Sequence, residues 1–191
     1  MVRRCIQLVR GAQHGGLILI HDGSIDGLRI KYGLERDEPA QRFRALLLRL
    51  LGALADSTPN ASIDWTDFVT SSSPDLERLE QAVFEWSRVI ANLAAIDGAV
   101  VLDKRFAVVG FGAEVSADLG SPLQVWRALD REGDARRSED IEAVGTRHRA
   151  AYRFVNRHPG SLAVVVSHDG GVTFVAQRDG QVVLWAQTVG P

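Results

Sequence analysis

The sequence predicts a mixed α/β domain in which helices pack on a central sheet that contains hairpins. Three observations carry that expectation. Short apolar runs rich in β-branched residues, each bounded by turn residues, recur at 16–20, 99–102, 162–166 and 172–176. Between them lie segments whose apolar residues return every three or four positions, the helical period. Of 191 residues, 46% are hydrophobic and 24% charged, the balance of a globular chain large enough to bury a sizeable core.

The first strand is Gly16-Leu17-Ile18-Leu19-Ile20, set between Gly15 and the turn residues His21-Asp22-Gly23, and a shorter one is expected over 28–32. Residues 39–55 carry Phe43, Leu46, Leu47, Leu50, Leu51 and Leu54 at helical spacing. The stretch 56–72 is polar and turn-rich and reads as a loop lying against the body, with Trp65 and Phe68 as its anchors. A second helix opens with Ser73 as N-cap, Pro74 in the first helical position, and Asp75 and Glu77 favouring its positive end. Its apolar stripe of Leu76, Leu79, Val83, Trp86, Ile90 and Leu93 carries it to about Ala94. Ala99–Leu102 and Phe106–Phe111 read as strands joined by Asp103-Lys104-Arg105. Residues 116–144 read as loop with some helix, and the mixed-charge run 131–140 as a solvated loop. A helix enters at Gly145, capped by Thr146, and stops at Pro159-Gly160. Strands 162–166 and 172–176 share the turn Ser167-His168-Asp169-Gly170-Gly171, and a last strand covers 181–185. The division this implies is an N-terminal strand–helix extension over 1–72, packed on a core of 73–191.

Composition removes several functions. No apolar run reaches the roughly 18 residues of a membrane span, and the basic N-terminus lacks the apolar stretch of a signal peptide. One cysteine, Cys5, excludes a disulfide framework and a thiolate zinc site. A net charge of −2 gives no global pull toward nucleic acid or an anionic membrane. The expectation is a cytoplasmic protein with neither nucleic acid nor membrane as partner.

Two segments can carry chemistry. Asp97-Gly98-Ala99 lies between a long helix and a buried strand. A carboxylate at the mouth of a sheet can bind a divalent cation or draw a proton from a hydroxyl, and Gly98 permits a close approach to the backbone. The same three residues also read as a helix C-cap and turn. The second segment is Gly145-Thr146-Arg147-His148-Arg149-Ala150-Ala151. Free N–H groups and the dipole at a helix start favour an anion, and two guanidiniums offer forked donors to phosphate. The plain reading is a solvated basic turn. But cations at a helix N-terminus oppose the dipole, and that placement calls for a compensating anion. Weaker candidates are His14 and His21 as metal ligands, Glu114 and Phe111 beside a pocket, and Trp126 and Trp185 as stacking platforms.

Taken together, Asp97-Gly98-Ala99, the Gly145–Ala151 segment and an apolar strand ending in Ser167 and a Gly-rich turn resemble the diadenylate cyclase domain family over about residues 75–186. The resemblance implies a mixed sheet flanked by helices, with two domains face to face, each holding one ATP. The 3′-hydroxyl of each ATP attacks the α-phosphate of the other and expels pyrophosphate. It further implies that Asp97 binds Mg²⁺ or Mn²⁺ and activates the hydroxyl, with Asp169 as a second metal ligand. Gly98 and Ala99 would lie against the nucleotide, and Thr146, Arg147, His148, Arg149 and Ser167 would hold it. Such roles suit phosphoryl transfer, which rests on positioning and charge neutralisation.

The sequence departs from the active pattern where Ser-Glu-Glu is usual: it has Ser167-His168-Asp169. Val108–Val115, with Gly110-Phe111-Gly112-Ala113-Glu114, also differs, and is more similar to a divergent branch thought to act in nucleotide sensing. The reading that follows is a sensor domain for an ATP-like or cyclic-dinucleotide ligand, its output passing through an effector domain or partner outside these residues. The alternatives are an active cyclase working as a homodimer, and a structural or interaction domain that binds no nucleotide.

Overall fold

A computed structural model describes residues 2–34, apart from Gln13 and Asp22, and residues 74–187, with isolated helical positions between 41 and 52. The loop expected over 56–72, the Ser73 cap, the side chains of Asp75 and Leu76, and most of the helix expected over 39–55 lie outside the described residues.

Among the described residues, ten strands form one mixed sheet. They are β1 (Gly16–His21), β2 (Leu28–Arg29), β3 (Tyr32–Gly33), β4 (Ala99–Asp103), β5 (Val108–Val115), β6 (Val125–Ala128), β7 (Arg136–Glu139), β8 (Leu162–Val166), β9 (Val172–Arg178) and β10 (Gln181–Gln187). The order is β2-β5-β4-β1-β8-β9-β10-β6-β7, and β3 also pairs with β5. The predicted fold class, helices flanking a mixed sheet, is the one observed.

Helices α1 (Val2–Gly11) and α2 (Pro74–Ala94) cover one face, and α3 (Thr146–Arg157) covers the other. Alternation along the strands feeds two cores. Ile18, Val100 and Val164 meet Ile6, Val9, Trp86 and Ile90 on the first face. Leu19, Val101 and Val165 meet Ala151, Tyr152 and Phe154 on the second. The central strands are therefore buried on both faces, which is why β1 reads as a continuous apolar run rather than an alternating one. Leu19, Val100, Val101 and Val164 have no exposed surface, and burying each contributes about 1.5–3 kcal/mol.

Three expectations change. Residues 16–21 are no extension: β1 runs parallel to β4 and antiparallel to β8, inside the sheet. The segment 116–144 contains strands β6 and β7, so Arg136–Glu139 is an edge strand and not a solvated loop. Its Arg136 pairs with Asp179 at 2.6 Å, tying the hairpin to the β9–β10 turn. Third, α1 appears where no helix was expected, with Cys5, Ile6 and Val9 on its buried side.

Gly98 closes the turn from α2 into β4 at φ +101°, and a Cβ there would lie 2.7 Å from the Gly112 carbonyl carbon and 2.8 Å from its Cα. The close approach expected at Gly98 is thus made by the backbone of β5. Replacing Gly98 with Ala is expected to destabilise the fold by about 2–4 kcal/mol, from the left-handed backbone plus the overlap. Urea unfolding of the G98A variant measures it; a loss below 1 kcal/mol would contradict the packing described.

Candidate functional site

The pairing of β1 with both neighbours aligns several chain segments at one edge of the sheet. Leu17 is level with Ala99 on β4 and with Val165 on β8, so the start of β1, the start of β4 and the end of β8 share that edge. The start of β9 joins them, because Val166 is paired with Val172. Asp97-Gly98, Gly15 and the turn Ser167–Gly171 therefore come together, although they lie far apart in sequence. The first turn of α3 reaches the same edge, where the His148 Nε2 sits 3.3 Å from the Thr173 hydroxyl of β9.

Gly15 is the point of closest approach. Its φ is +62°, and a Cβ on it would lie 2.9 Å from the Val166 oxygen, 3.2 Å from the His168 nitrogen and 3.3 Å from Arg147 Nη1. The backbone of β1, the β8–β9 turn and the Arg147 guanidinium are thus packed together. Arg147 is exposed and has no hydrogen-bond or ion-pair partner among the described residues. Arg149 is held differently: its Nη1 donates to the Val144 carbonyl at 2.6 Å, which braces the loop entering α3.

The helix start differs from expectation in one respect. Gly145 is the N-cap, with no side-chain cap bond, and Thr146 is the first helical residue. The first turn has no acidic residue and no capping side chain, so its N–H groups are left to face solvent or an anion.

Behind this turn lies a polar cluster that sequence reasoning did not find. Arg127 of β6 forms a two-pronged ion pair with Glu139 of β7, at 2.7 and 2.6 Å. Hydrogen bonding from Arg127 holds the Glu139 carboxyl below the usual carboxylate range. Burial pushes the Tyr152 hydroxyl up to about 12, and the nearby Glu139 charge adds to that. Burial, then the Arg127 cation, pushes His148 down, against the opposing carboxylates of Asp169 and Glu139. The sequence signal for the pair was weak, since opposed charges on an edge hairpin read as surface.

Asp97 is exposed, and its Oδ1 accepts the Gly98 N–H at 3.1 Å. Ala99 is buried as the first residue of β4. Ser167 is half-buried, and its backbone closes the turn through N–H to the Gly171 carbonyl at 2.8 Å. Asp169 Oδ1 accepts the Gly171 N–H at 3.0 Å. No group of three or more His, Cys, Asp or Glu among the described residues is arranged to hold a metal ion. A divalent cation at Asp97 or Asp169 would need phosphate oxygens and water to complete its shell, as Mg²⁺ commonly does.

The weaker candidates lie as follows. Phe111 stacks on Tyr32 with ring centres 4.9 Å apart, and Glu114 pairs with exposed Arg29 at 2.5 Å. Trp185 packs where a Cβ on Gly133 would sit, 2.6 Å from its ring, and Trp126 is half-buried on β6. His14 is exposed, and His21 Nδ1 accepts the Gly23 N–H at 3.0 Å. Among the described residues two clefts lie elsewhere, and neither is lined by Asp97 or by the first turn of α3. One of about 280 Å³ is lined by Ser24, Asp26 and Arg157–Pro159 with Ser161. The other, of about 360 Å³, lies between Gly27–Arg29 and Glu114–Ala117.

No protein-family model matches this chain, and no curated protein matches it in sequence. A crystal structure described as a hypothetical membrane spanning protein from Bacillus cereus matches it with a TM-score of 0.50 at 17% identity. The match takes in 98% of this chain, which spans 62% of that one. DacA from Staphylococcus aureus matches with a TM-score of 0.41 at 16% identity, over 95% of this chain and 81% of that one. The first likeness shows a shared fold. No helix among the described residues is long and apolar enough to cross a membrane.

The lowered His148 fixes a pH dependence. The folded state favours the neutral ring, so the unfolded chain binds more protons as pH falls below about 6.5. Stability is therefore full above that value and declines as pH drops toward the folded-state pKa. Proton NMR titration of His148 is expected to give a midpoint below 6.5, and His148→Asn is expected to flatten the decline in that window. A midpoint at or above the ordinary histidine value of about 6.5 would contradict the environment described.

Proposed function

We propose that this chain is a nucleotide-binding domain related to the diadenylate cyclases, and that it senses an ATP-like or cyclic-dinucleotide ligand. One observation carries the reading. The Arg147 guanidinium lies beside Gly15, which in turn abuts Val166 and His168 at the β8–β9 turn; it has no partner among the described residues and stands at the start of a helix that has no acidic residue in its first turn. Positive charge at that end of a helix is unfavourable by itself, and a phosphate removes the conflict by accepting from both the guanidinium and the free N–H groups. Asp97, in the turn that leads into the neighbouring strand β4, stands at the same end of the sheet.

Each residue has a task in this reading. Arg147 and the N–H groups of Thr146 and Arg147 take phosphate oxygens. Arg149 fixes the loop that presents them, through Val144. His148, neutral and tied to Thr173, orients the turn without adding a third charge. Gly98 keeps β4 and β5 close enough for Asp97 to stand at the edge. His168 stands where an acidic residue is usual in active cyclases, and Asp169 already accepts from the Gly171 N–H, which favours sensing over turnover.

Arg147→Ala is expected to weaken ATP binding by about 1–3 kcal/mol in calorimetry, the loss of a charge-assisted hydrogen bond. Arg149→Ala is expected to weaken it through the loop and to lower stability as well. Unchanged affinity in both would place the site elsewhere. Incubation with ATP and Mg²⁺ or Mn²⁺ tests the enzyme reading: the account expects no cyclic dinucleotide. Multi-turnover product that disappears in Asp97→Asn would replace the sensor by a working cyclase, with two copies face to face. No binding of ATP, GTP or cyclic dinucleotides would leave a structural domain.

A further inference from the structure

Arg10 lies in the last turn of α1, on the opposite face of the sheet from α3. It is half-buried, and it has no hydrogen-bond or ion-pair partner among the described residues. Its guanidinium lies beside the β8–β9 turn: a Cβ on Gly170, whose φ is +84°, would sit 3.6 Å from its Nε and 3.9 Å from its Nη2. Arg147 comes to the base of the same turn from the α3 side, where Gly15, Val166 and His168 meet. The carboxylate of the turn, Asp169, accepts the Gly171 N–H and forms no ion pair with either arginine. Two guanidiniums without a counter-charge among the described residues thus flank one five-residue loop. Favourable placement near the C-terminal carbonyls of α1 explains a cation in that last turn. It does not explain why the side chain lies against Gly170 with no carbonyl bonded to it.

We propose that Arg10 and Arg147 grip one ligand across the Ser167–Gly171 turn, and that Arg10 selects for a nucleoside di- or triphosphate over a monophosphate. The proposal rests on the reading that this edge binds a nucleotide. Because the two side chains arrive from opposite faces of the sheet, they suit a row of phosphoryl groups, each meeting one guanidinium. Gly15 leaves room beside Arg147, where a Cβ would come within 3.3 Å of Nη1, and Gly170 serves the turn through its positive φ of +84°.

Calorimetry with ATP, ADP and AMP on the wild type, Arg10→Gln and Arg147→Gln tests this, with urea unfolding run on each. Arg10→Gln is expected to weaken ATP and ADP about tenfold or more, to leave AMP within about twofold, and to keep the unfolding midpoint. Arg147→Gln is expected to weaken all three. If Arg10→Gln unfolds, Arg10→Lys serves instead: it keeps the charge beside α1 and loses the fork, and its ATP-to-AMP preference is expected to fall. An unchanged ATP-to-AMP ratio in the folded Arg10 variant overturns the proposal while leaving nucleotide binding intact. A wild type that binds none of the three overturns this proposal, and one that also binds no GTP or cyclic dinucleotide overturns the nucleotide-binding reading on which it rests.

Discussion

The hydrogen bonding of β1 on both of its sides is the constraint from which the site follows. One partner is parallel and the other antiparallel, so the start of β1 is level with the start of β4 and the end of β8. That single register puts Gly15 beside the Ser167–Gly171 turn and places Asp97 one strand away. A slip of one residue would turn Leu17 and Leu19 toward the α1–α2 face and Ile18 and Ile20 toward α3, so both cores hold the register in place. The edge where charge gathers is thus fixed by apolar packing some distance from it.

Charge at that edge is arranged with economy of counter-ions. Among the basic side chains there, Arg149 spends itself on a carbonyl and Arg127 on Glu139, while Arg147 and Arg10 keep theirs. Burial and then the neighbouring Arg127 push His148 toward its neutral form. The effect is to leave two positive centres open at a glycine-lined turn and to brace them with groups that are already satisfied. In the proposed function, that division of labour leaves the open cations for an anionic ligand and the satisfied ones for support.

Much of the frame was legible in the amino acids because burial leaves a mark on sequence. Strands β1, β4, β8 and β9 are covered on both faces or nearly so, and their apolar runs stand out. The helix start at residues 145–149 and the hairpin turn at 167–171 were legible from glycine, threonine and arginine placement. Edge strands leave no such mark: β7 is Arg136-Arg137-Ser138-Glu139, and its identity comes from pairing with β6 rather than from pattern. The central position of β1 also had no local signature, because neighbours far along the chain decide it. Helix α1 did carry a signal, in Val2, Cys5, Ile6 and Val9 at helical spacing, yet it is short and interrupted by arginines. The role of Gly98 was half legible: a close approach was foreseen, but the approaching group is the β5 backbone.

The most direct measurement is an NMR titration of the isotope-labelled protein with ATP, following backbone amides and arginine side chains. The account predicts shifts concentrated at Gly15, Thr146–Arg149 and Ser167–Gly171, with movement of the Arg147 and Arg10 Nε resonances. Shifts confined to the cleft of Ser24, His158 and Ser161, or to the one between Arg29 and Ala117, would contradict it, as would a spectrum that ATP leaves unchanged.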